Sequence, residues 1–243
     1  MAAVVELKNI TFSAQDQDIV RDFSYAFEEG KSTALVGPSG SGKSTVLKLA
    51  AGLLVPNQGV ASFRDRNIFT MNRQETLDFR KEAAMVFQDS ALWANQSLYQ
   101  ILELPLRIHF PKMSLAEREK RIHEVLEEVG YRRSLSIRPF QLSMGEQKLI
   151  AFARALMCRP KVLFLDEWTE SLDDSSGHRL VRLVQQHQQE QKTVIFVSHD
   201  FRIIKNLADY IIMIVGGKFS CMASREQMEE DENLAQHIEF GIA

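Results

Sequence analysis

Cysteine is nearly absent from this chain. There are 2 in 243 residues, Cys158 and Cys221, with no second cysteine or nearby histidine in ligand spacing. That scarcity excludes a disulfide framework or a zinc knuckle and points to a reducing cytosol. Charge of one sign is lacking as well. Lys and Arg total 29 against 32 Asp and Glu, a net charge of −3, so no global basic field draws nucleic acid or anionic lipid, and a nucleic-acid partner is not expected. Long hydrophobic runs are missing too. The longest, such as Ile211 to Val215 and Val162 to Leu165, fall far short of the roughly 18 to 20 apolar residues of a membrane helix. The opening MAAVVELKN sets Glu6 and Lys8 where a secretory segment needs apolar residues. The expectation is a soluble protein whose membrane role comes through a partner. Internal repeats and low-complexity tracts are also lacking.

What is present is ordinary globular composition, 45% hydrophobic and 25% charged, in a length that fits one α/β domain carrying an extra lobe. Residues 4 to 36 read as short strands: VVELKNITF, IVRDFSYAF, a turn at Glu29-Gly30, then STALV. Further on, AAMVF, KVLFL, TVIFVS and YIIMIV are buried-strand runs separated by helical patterns, which argues for a largely parallel sheet covered on both faces. The stretch from Ser97 to Met157 breaks that alternation and is helical in pattern. Within MSLAEREKRIHEVLEEVG, Ser114 is the expected N-cap, Glu117 completes the capping box and Gly130 ends the helix. The charge run EREKR inside it reads as a solvated helix face. The organisation expected is a core of residues 1–88 and 159–223 that includes an antiparallel β subdomain, a helical subdomain at 89–158, and a helical tail at 224–243.

Gly37, Pro38, Ser39, Gly40, Ser41, Gly42, Lys43, Ser44 and Thr45 spell GPSGSGKST, directly after the strand STALV and directly before a helical pattern. Glycines there let backbone N–H groups curl around an anion, and the helix N-terminus adds partial positive charge. Lys43 reaches for β/γ-phosphates and Ser44 for Mg²⁺. Downstream, VLFLDE ends an apolar strand in Asp166 and Glu167. A carboxylate beside a phosphate loop can hold Mg²⁺, and the next one can polarise an attacking water.

With these residues in view, nearly the whole chain resembles the nucleotide-binding subunits of ABC transporters, a P-loop NTPase fold. Gln88 follows AAMVF where the family has a Gln that senses Mg²⁺ and the lytic water. LSMGEQ, with Ser143, Gly145 and Glu146, resembles the signature segment. Asp173 in ESLD falls at the D-loop, and His199 in VSHD at the switch histidine. Lys43 to Ser143 is 100 positions, Ser143 to Asp166 is 23, and Asp166 to His199 is 33. The resemblance implies that two ATPase subunits, expected to be identical, pair head to tail. Each ATP then lies between one phosphate loop and the other subunit's signature helix, with Glu167 as general base, His199 orienting the γ-phosphate and Mg²⁺ bound near Ser44, Gln88 and Asp166.

Four positions depart from the family pattern. Ala14 stands where relatives carry an adenine-stacking aromatic, and nearby Phe12 reads more as core than as stacker. Met144 and Glu146 replace a glycine and a glutamine of the signature, so Glu146 is expected to bring negative charge toward ATP. Trp168 replaces the proline after the glutamate. These changes are expected to slow turnover without abolishing it.

The stretch FQDSALWANQSLYQILELPLRIH (Phe87 to His109) and the ending DENLAQHIEFGIA resemble the ATPases of Mla/Mce-type phospholipid transport systems. That likeness implies a place on the cytoplasmic face of the inner membrane, peripheral through a transmembrane permease. It further implies an Mce-domain lipid-binding protein and a small STAS-domain protein as partners. Two alternatives stand beside it: the ATPase of another ABC system, such as lipoprotein release or small-molecule transport, and a slow ATP-binding regulatory subunit. The final residues, Leu234 to Ala243, are read either as a solvated helix or as a segment reaching the second subunit.

Overall fold

The computed structural model describes residues 2–231 and residue 238, so the reading of Leu234 to Ala243 lies outside the described residues. The chain opens with β1 (Ala3–Ala14), β2 (Gln17–Glu28) and β3 (Ser32–Val36), followed by α1 (Lys43–Ala50). Next come β4 (Gln58–Phe63), β5 (Arg66–Asn67), α2 (Arg73–Glu82) and β6 (Ala83–Val86). Three helices then interrupt the strands: α3 (Leu98–His109), α4 (Leu115–Val129) and α5 (Met144–Leu156). Alternation resumes with β7 (Val162–Asp166), α6 (Asp174–Gln189), β8 (Thr193–Val197), α7 (Phe201–Leu207), β9 (Tyr210–Val215), β10 (Lys218–Ser224) and α8 (Arg225–Glu230).

Two sheets result. One is antiparallel, in the order β2-β1-β4-β5; the other has six strands in the order β10-β9-β3-β8-β7-β6. In the second, β9, β3, β8, β7 and β6 run parallel and only β10 is antiparallel. The largely parallel sheet read from the apolar runs is therefore present.

Side chains alternate across a strand, and here that alternation sorts the core into two. Leu35, Val162, Phe164, Ile195 and Val197 face a cluster shared with α1 and the antiparallel sheet, including Phe23, Phe27 and Leu47. Ala34, Val36, Leu163, Leu165, Val194 and Phe196 face the opposite cluster, built from α3 to α7. All five residues of β3, β7 and β8 are buried. That is why these strands read as mainly apolar runs, with polar residues only at their ends.

Local signals set the helix ends. Ser114 caps α4 with its hydroxyl accepting from Glu117 N–H at 3.3 Å, while the Glu117 carboxylate accepts from Ser114 N–H at 2.7 Å. Gly130 closes the helix in the left-handed conformation, φ 81°, where glycine carries no Cβ penalty. The EREKR run is only partly a solvated face. Arg121 turns inward and donates to Leu156 O at 2.9 Å and Met157 O at 3.3 Å. It thereby adds donors to carbonyls at the end of α5, where the helix ladder runs out.

The α5 helix leans on the β7 end through Phe152, fully buried and 5.8 Å from the Trp168 ring. Phe152→Ala removes that contact and leaves a cavity between α5 and the sheet. Urea denaturation is expected to show a loss of about 3–5 kcal/mol.

Candidate functional site

The strand order β3-β8-β7-β6 sets four carboxyl ends side by side. In a parallel sheet the crevice outside those ends is where ligands bind. The residues that follow them are Gly37 after β3, Ser198 and His199 after β8, Glu167 after β7 and Gln88 after β6.

The phosphate loop bends through glycines at φ 143° (Gly37), 73° (Gly40) and 97° (Gly42). A Cβ at position 37 would lie 2.0 Å from Ile214 O, so only glycine fits where the loop passes the neighbouring strand. Gly42 is the N-cap of α1, with no side-chain cap and no acidic residue in the first turn. The first backbone bond closing that turn runs from Val46 N–H to Gly42 O. The N–H groups of Lys43, Ser44 and Thr45 thus sit at an uncapped helix start, which is an anion site by dipole and by donors together. Pro38, Ser39 and Gly40 are exposed, whereas the Ser41 hydroxyl is buried without a partner among the described residues. Lys43 folds over the loop and donates to Gly37 O at 2.8 Å and Pro38 O at 2.9 Å. Burial lowers its pKa, with Glu167 and Asp166 opposing that shift.

Ser44 Oγ donates to Asp166 Oδ1 at 2.7 Å. The Asp166 carboxylate, 1% exposed, has Lys48 Nζ at 4.0 Å from its other oxygen. One residue on, Glu167 adopts φ 43°, an uncommon conformation for a residue with a side chain. Its N–H donates to Val197 O at 3.1 Å, and its side-chain Oε2 accepts from His199 N–H at 3.3 Å. His199 Nε2 stands 3.1 Å from Glu167 Oε1, within ion-pair distance though off the line of a hydrogen bond. Burial pushes the Glu167 carboxyl above its ordinary range, against the pull of His199. Gln88 is exposed and donates to Glu170 at 3.4 Å.

Ser143, Gly145, Glu146 and Asp173 are not hydrogen-bonded to the phosphate loop among the described residues. Ser143 and Asp173 are exposed N-caps of α5 and α6. Gly145 faces the Asp173 loop so closely that a Cβ there would lie 3.0 Å from Ser171 O. Glu146 differs from expectation. Its carboxylate turns back to accept from Ser143 N–H at 2.9 Å and takes Arg133 Nη1 on both oxygens at 3.0 and 2.9 Å. Those bonds hold its pKa below the usual range, and its charge is answered where it stands. Met144 is 69% exposed.

Sequence reasoning passed over several residues that the structure brings to this region: Arg133, Lys148 and Arg154. Lys148 had a readable signal, because it shares the face of Phe152 and Ala155, at i+4 and i+7, and a lysine in an apolar stripe is out of pattern. Arg133 had none, since it lies 13 residues from its partner Glu146 across a loop.

Comparison with known proteins agrees with this geometry. The ABC transporter family model matches residues 20–170. The chain belongs to the ABC transporter family. It is an ATPase, and it binds ATP. It is 32% identical to the intermembrane phospholipid transport system ATP-binding protein MlaF of Haemophilus influenzae, over 95% of this chain and 88% of that one. It is 31% identical to the L-cystine import ATP-binding protein TcyC of Bacillus subtilis, over 88% and 87% respectively. A solved dimeric, post-hydrolysis structure of the ATP-binding cassette MJ0796 with ADP and Pi superposes at a TM-score of 0.83. The two are 29% identical, over 91% of this chain and 98% of that one. Among the described residues no helix is long and apolar enough to cross a membrane.

The raised Glu167 pKa has a stability consequence. A carboxyl whose pKa is higher folded than unfolded favours the fold while protonated and loses that contribution as pH rises through the folded value. Glu167→Gln removes the charge, so its melting temperature at pH 7.5 is expected to exceed wild type. Near pH 4, where the wild-type group is largely protonated, the gain should vanish.

Proposed function

We propose that this ATPase is the motor subunit of a phospholipid transporter and works as a head-to-tail homodimer. The observation that carries the hydrolytic part is the convergence of Lys43, Ser44, Asp166, Glu167 and His199 on one crevice, with Ser44 on Asp166 at 2.7 Å, His199 on Glu167 at 3.1 and 3.3 Å, and Lys43 folded over the phosphate loop. In this reading the N–H groups of the loop from Gly37 to Thr45 and the Lys43 ammonium hold the phosphates. Glu167, its proton affinity raised by burial, takes the proton of the attacking water. His199, beside both Glu167 oxygens, orients water and γ-phosphate, and Gln88 closes the crevice from the β6 side. Preorganised donors of this kind stabilise charge as it develops.

The donor set also fits Mg²⁺. Ser44 and Asp166 offer hard oxygens, and among the described residues no group of three or more His, Cys, Asp or Glu forms a cage of its own. That suits an ion held by one or two protein oxygens together with substrate phosphates. Bound there, Mg²⁺ would neutralise phosphate charge.

Ser143, Gly145, Glu146 and Asp173 act in the second subunit's site. The exposure of Ser143 and Asp173 at two helix N-termini, with Gly145 and Glu146 half-buried beside Ser143, supports that role. The permease is assigned to an apolar groove of about 530 Å³ lined by Leu53, Trp93, Leu104, Pro105 and Ile108. Trp93 and Ile108 are 46% and 48% exposed, which suits an amphipathic helix of a membrane subunit. Through it the ATPase would sit on the cytoplasmic face of the inner membrane. The phospholipid cargo, and with it an Mce-domain protein and a STAS-domain protein as further partners, rest on the likeness to MlaF over 95% of the chain. The likeness to the L-cystine import protein favours small-molecule import as the second reading.

Phosphate release by the full chain with ATP and Mg²⁺ tests the mechanism. Glu167→Gln should lower it by about 10²–10⁴-fold while nucleotide still binds. Reconstituted with its permease, the wild type should move labelled phospholipid between vesicles. Movement of cystine instead would favour the second reading.

Charge compensation in the signature gives a separate expectation. Arg133→Ala leaves the Glu146 carboxylate unanswered beside the facing nucleotide, so ATP-driven pairing, read as dimer mass in the Glu167→Gln background, should weaken severalfold. Adding Glu146→Gln should restore it.

A further inference from the structure

Lys148 is a buried lysine, 4% exposed, on the face of α5 that packs toward the sheet. An ammonium taken out of water is costly unless each of its three donors finds an acceptor. This one finds three carbonyl oxygens: Phe87 O at 3.3 Å, Glu167 O at 3.1 Å and Gln88 O. Asp89, Asp166, Glu167 and Glu170 lie close enough to favour its charge, although burial is the larger influence and lowers its pKa.

The origin of the three carbonyls is what matters. Two belong to the segment leaving β6 and one to the segment leaving β7, while the lysine belongs to the helix whose first turn carries Ser143 and Gly145. Two of the three are the backbone carbonyls of Gln88 and Glu167 themselves. Further along the same helix, Arg154 donates to Ala91 O at 2.6 Å and Ser90 O at 3.2 Å, so α5 holds the first half of the loop after β6 at two places. Only Lys148 also reaches Glu167.

We propose that Lys148 is a positioning residue for hydrolysis: its ammonium fixes the backbones of Gln88 and Glu167 relative to each other and to the signature helix. Any shift of α5 then reaches both residues through one side chain. The proposal rests on the reading of Glu167 and Gln88 given above. A purely structural lysine would affect folding and leave the turnover of folded protein alone.

The test is basal phosphate release by the full chain with ATP and Mg²⁺, alongside binding of a fluorescent ATP analogue and thermal melting. Lys148→Met keeps the length of the side chain and removes all three donors. It is expected to lower kcat at least tenfold with nucleotide affinity within about twofold of wild type. Lys148→Gln, with two donors and no charge, should recover part of the loss. In a Gln88→Ala background, Lys148→Met should cost a much smaller factor, because residues that act as a unit are not additive. Wild-type kcat in Lys148→Met, an equal factor in both backgrounds, or a loss of kcat matched by losses of affinity and melting temperature would overturn the proposal. If Lys148→Met does not fold, Lys148→Gln decides: kcat several-fold down at unchanged affinity supports the proposal, and wild-type kcat overturns it. Phosphate release that survives Glu167→Gln would sink the role of Glu167, which is a different failure.

Discussion

A carboxylate buried at the end of β7 constrains everything around it. Asp166 is 1% exposed, and a charge at that depth must be met by donors or cations. Ser44 Oγ at 2.7 Å and Lys48 at 4.0 Å supply them, both from α1. To reach, α1 must begin directly beside the β7 end, although β8 lies between β3 and β7. The phosphate loop that leads into α1 is thereby fixed over the same crevice that Glu167 and His199 enter from β7 and β8. One buried charge ties the anion-binding helix to the carboxylate of Glu167, the residue proposed to activate water. The Ser44 hydroxyl and the Asp166 carboxylate that it brings together are the hard oxygens that suit Mg²⁺.

Much of this was legible in the amino-acid order, for identifiable reasons. The parallel strands announce themselves because both their faces are covered, so their middles are runs of apolar residues with polar ones only at the ends. The phosphate loop does so because its glycines, lysine and serine are each demanded by geometry at fixed spacing. Helix α4 was readable from Ser114, Glu117 and Gly130 because capping is local chemistry over three or four residues. The strands β4 and β5 were not, since QGVASF mixes glycine and glutamine into the run and β5 is two residues long. Arg121 and Arg133 escaped for a different reason. Their partners lie on other elements, and nothing in local periodicity encodes which arginine of a charged run will turn inward.

The altered signature shows how far a substitution can be judged without its surroundings. Glutamate in place of glutamine adds a negative charge near a site for a polyanion, which by itself is unfavourable. At the third position of a helix capped by serine, however, glutamate completes a capping box. Here the Glu146 carboxylate accepts from Ser143 N–H and, on both oxygens, from Arg133 Nη1. The carboxylate therefore orders the helix start, and Arg133 answers its charge. Met144, by contrast, points into solvent, and nothing in the structure explains it.

The conformation of Glu167 closes the argument. A non-glycine residue at φ 43° costs of order 1 kcal/mol or more and persists only where its neighbours over-determine it. Three do. Its N–H is held by Val197 O at 3.1 Å and its carbonyl by Lys148 at 3.1 Å, while Trp168 immediately after it is fully buried against Phe152. The indole N–H of Trp168 is itself without a partner among the described residues, a loss of about 1–3 kcal/mol that the burial of so large a ring offsets. Where relatives place a proline after this glutamate, whose ring stiffens the backbone directly, this chain anchors the next side chain in the core. The carboxylate thus keeps its place beside His199 through packing and hydrogen bonds on both sides, and each of those bonds comes from a different element of the fold.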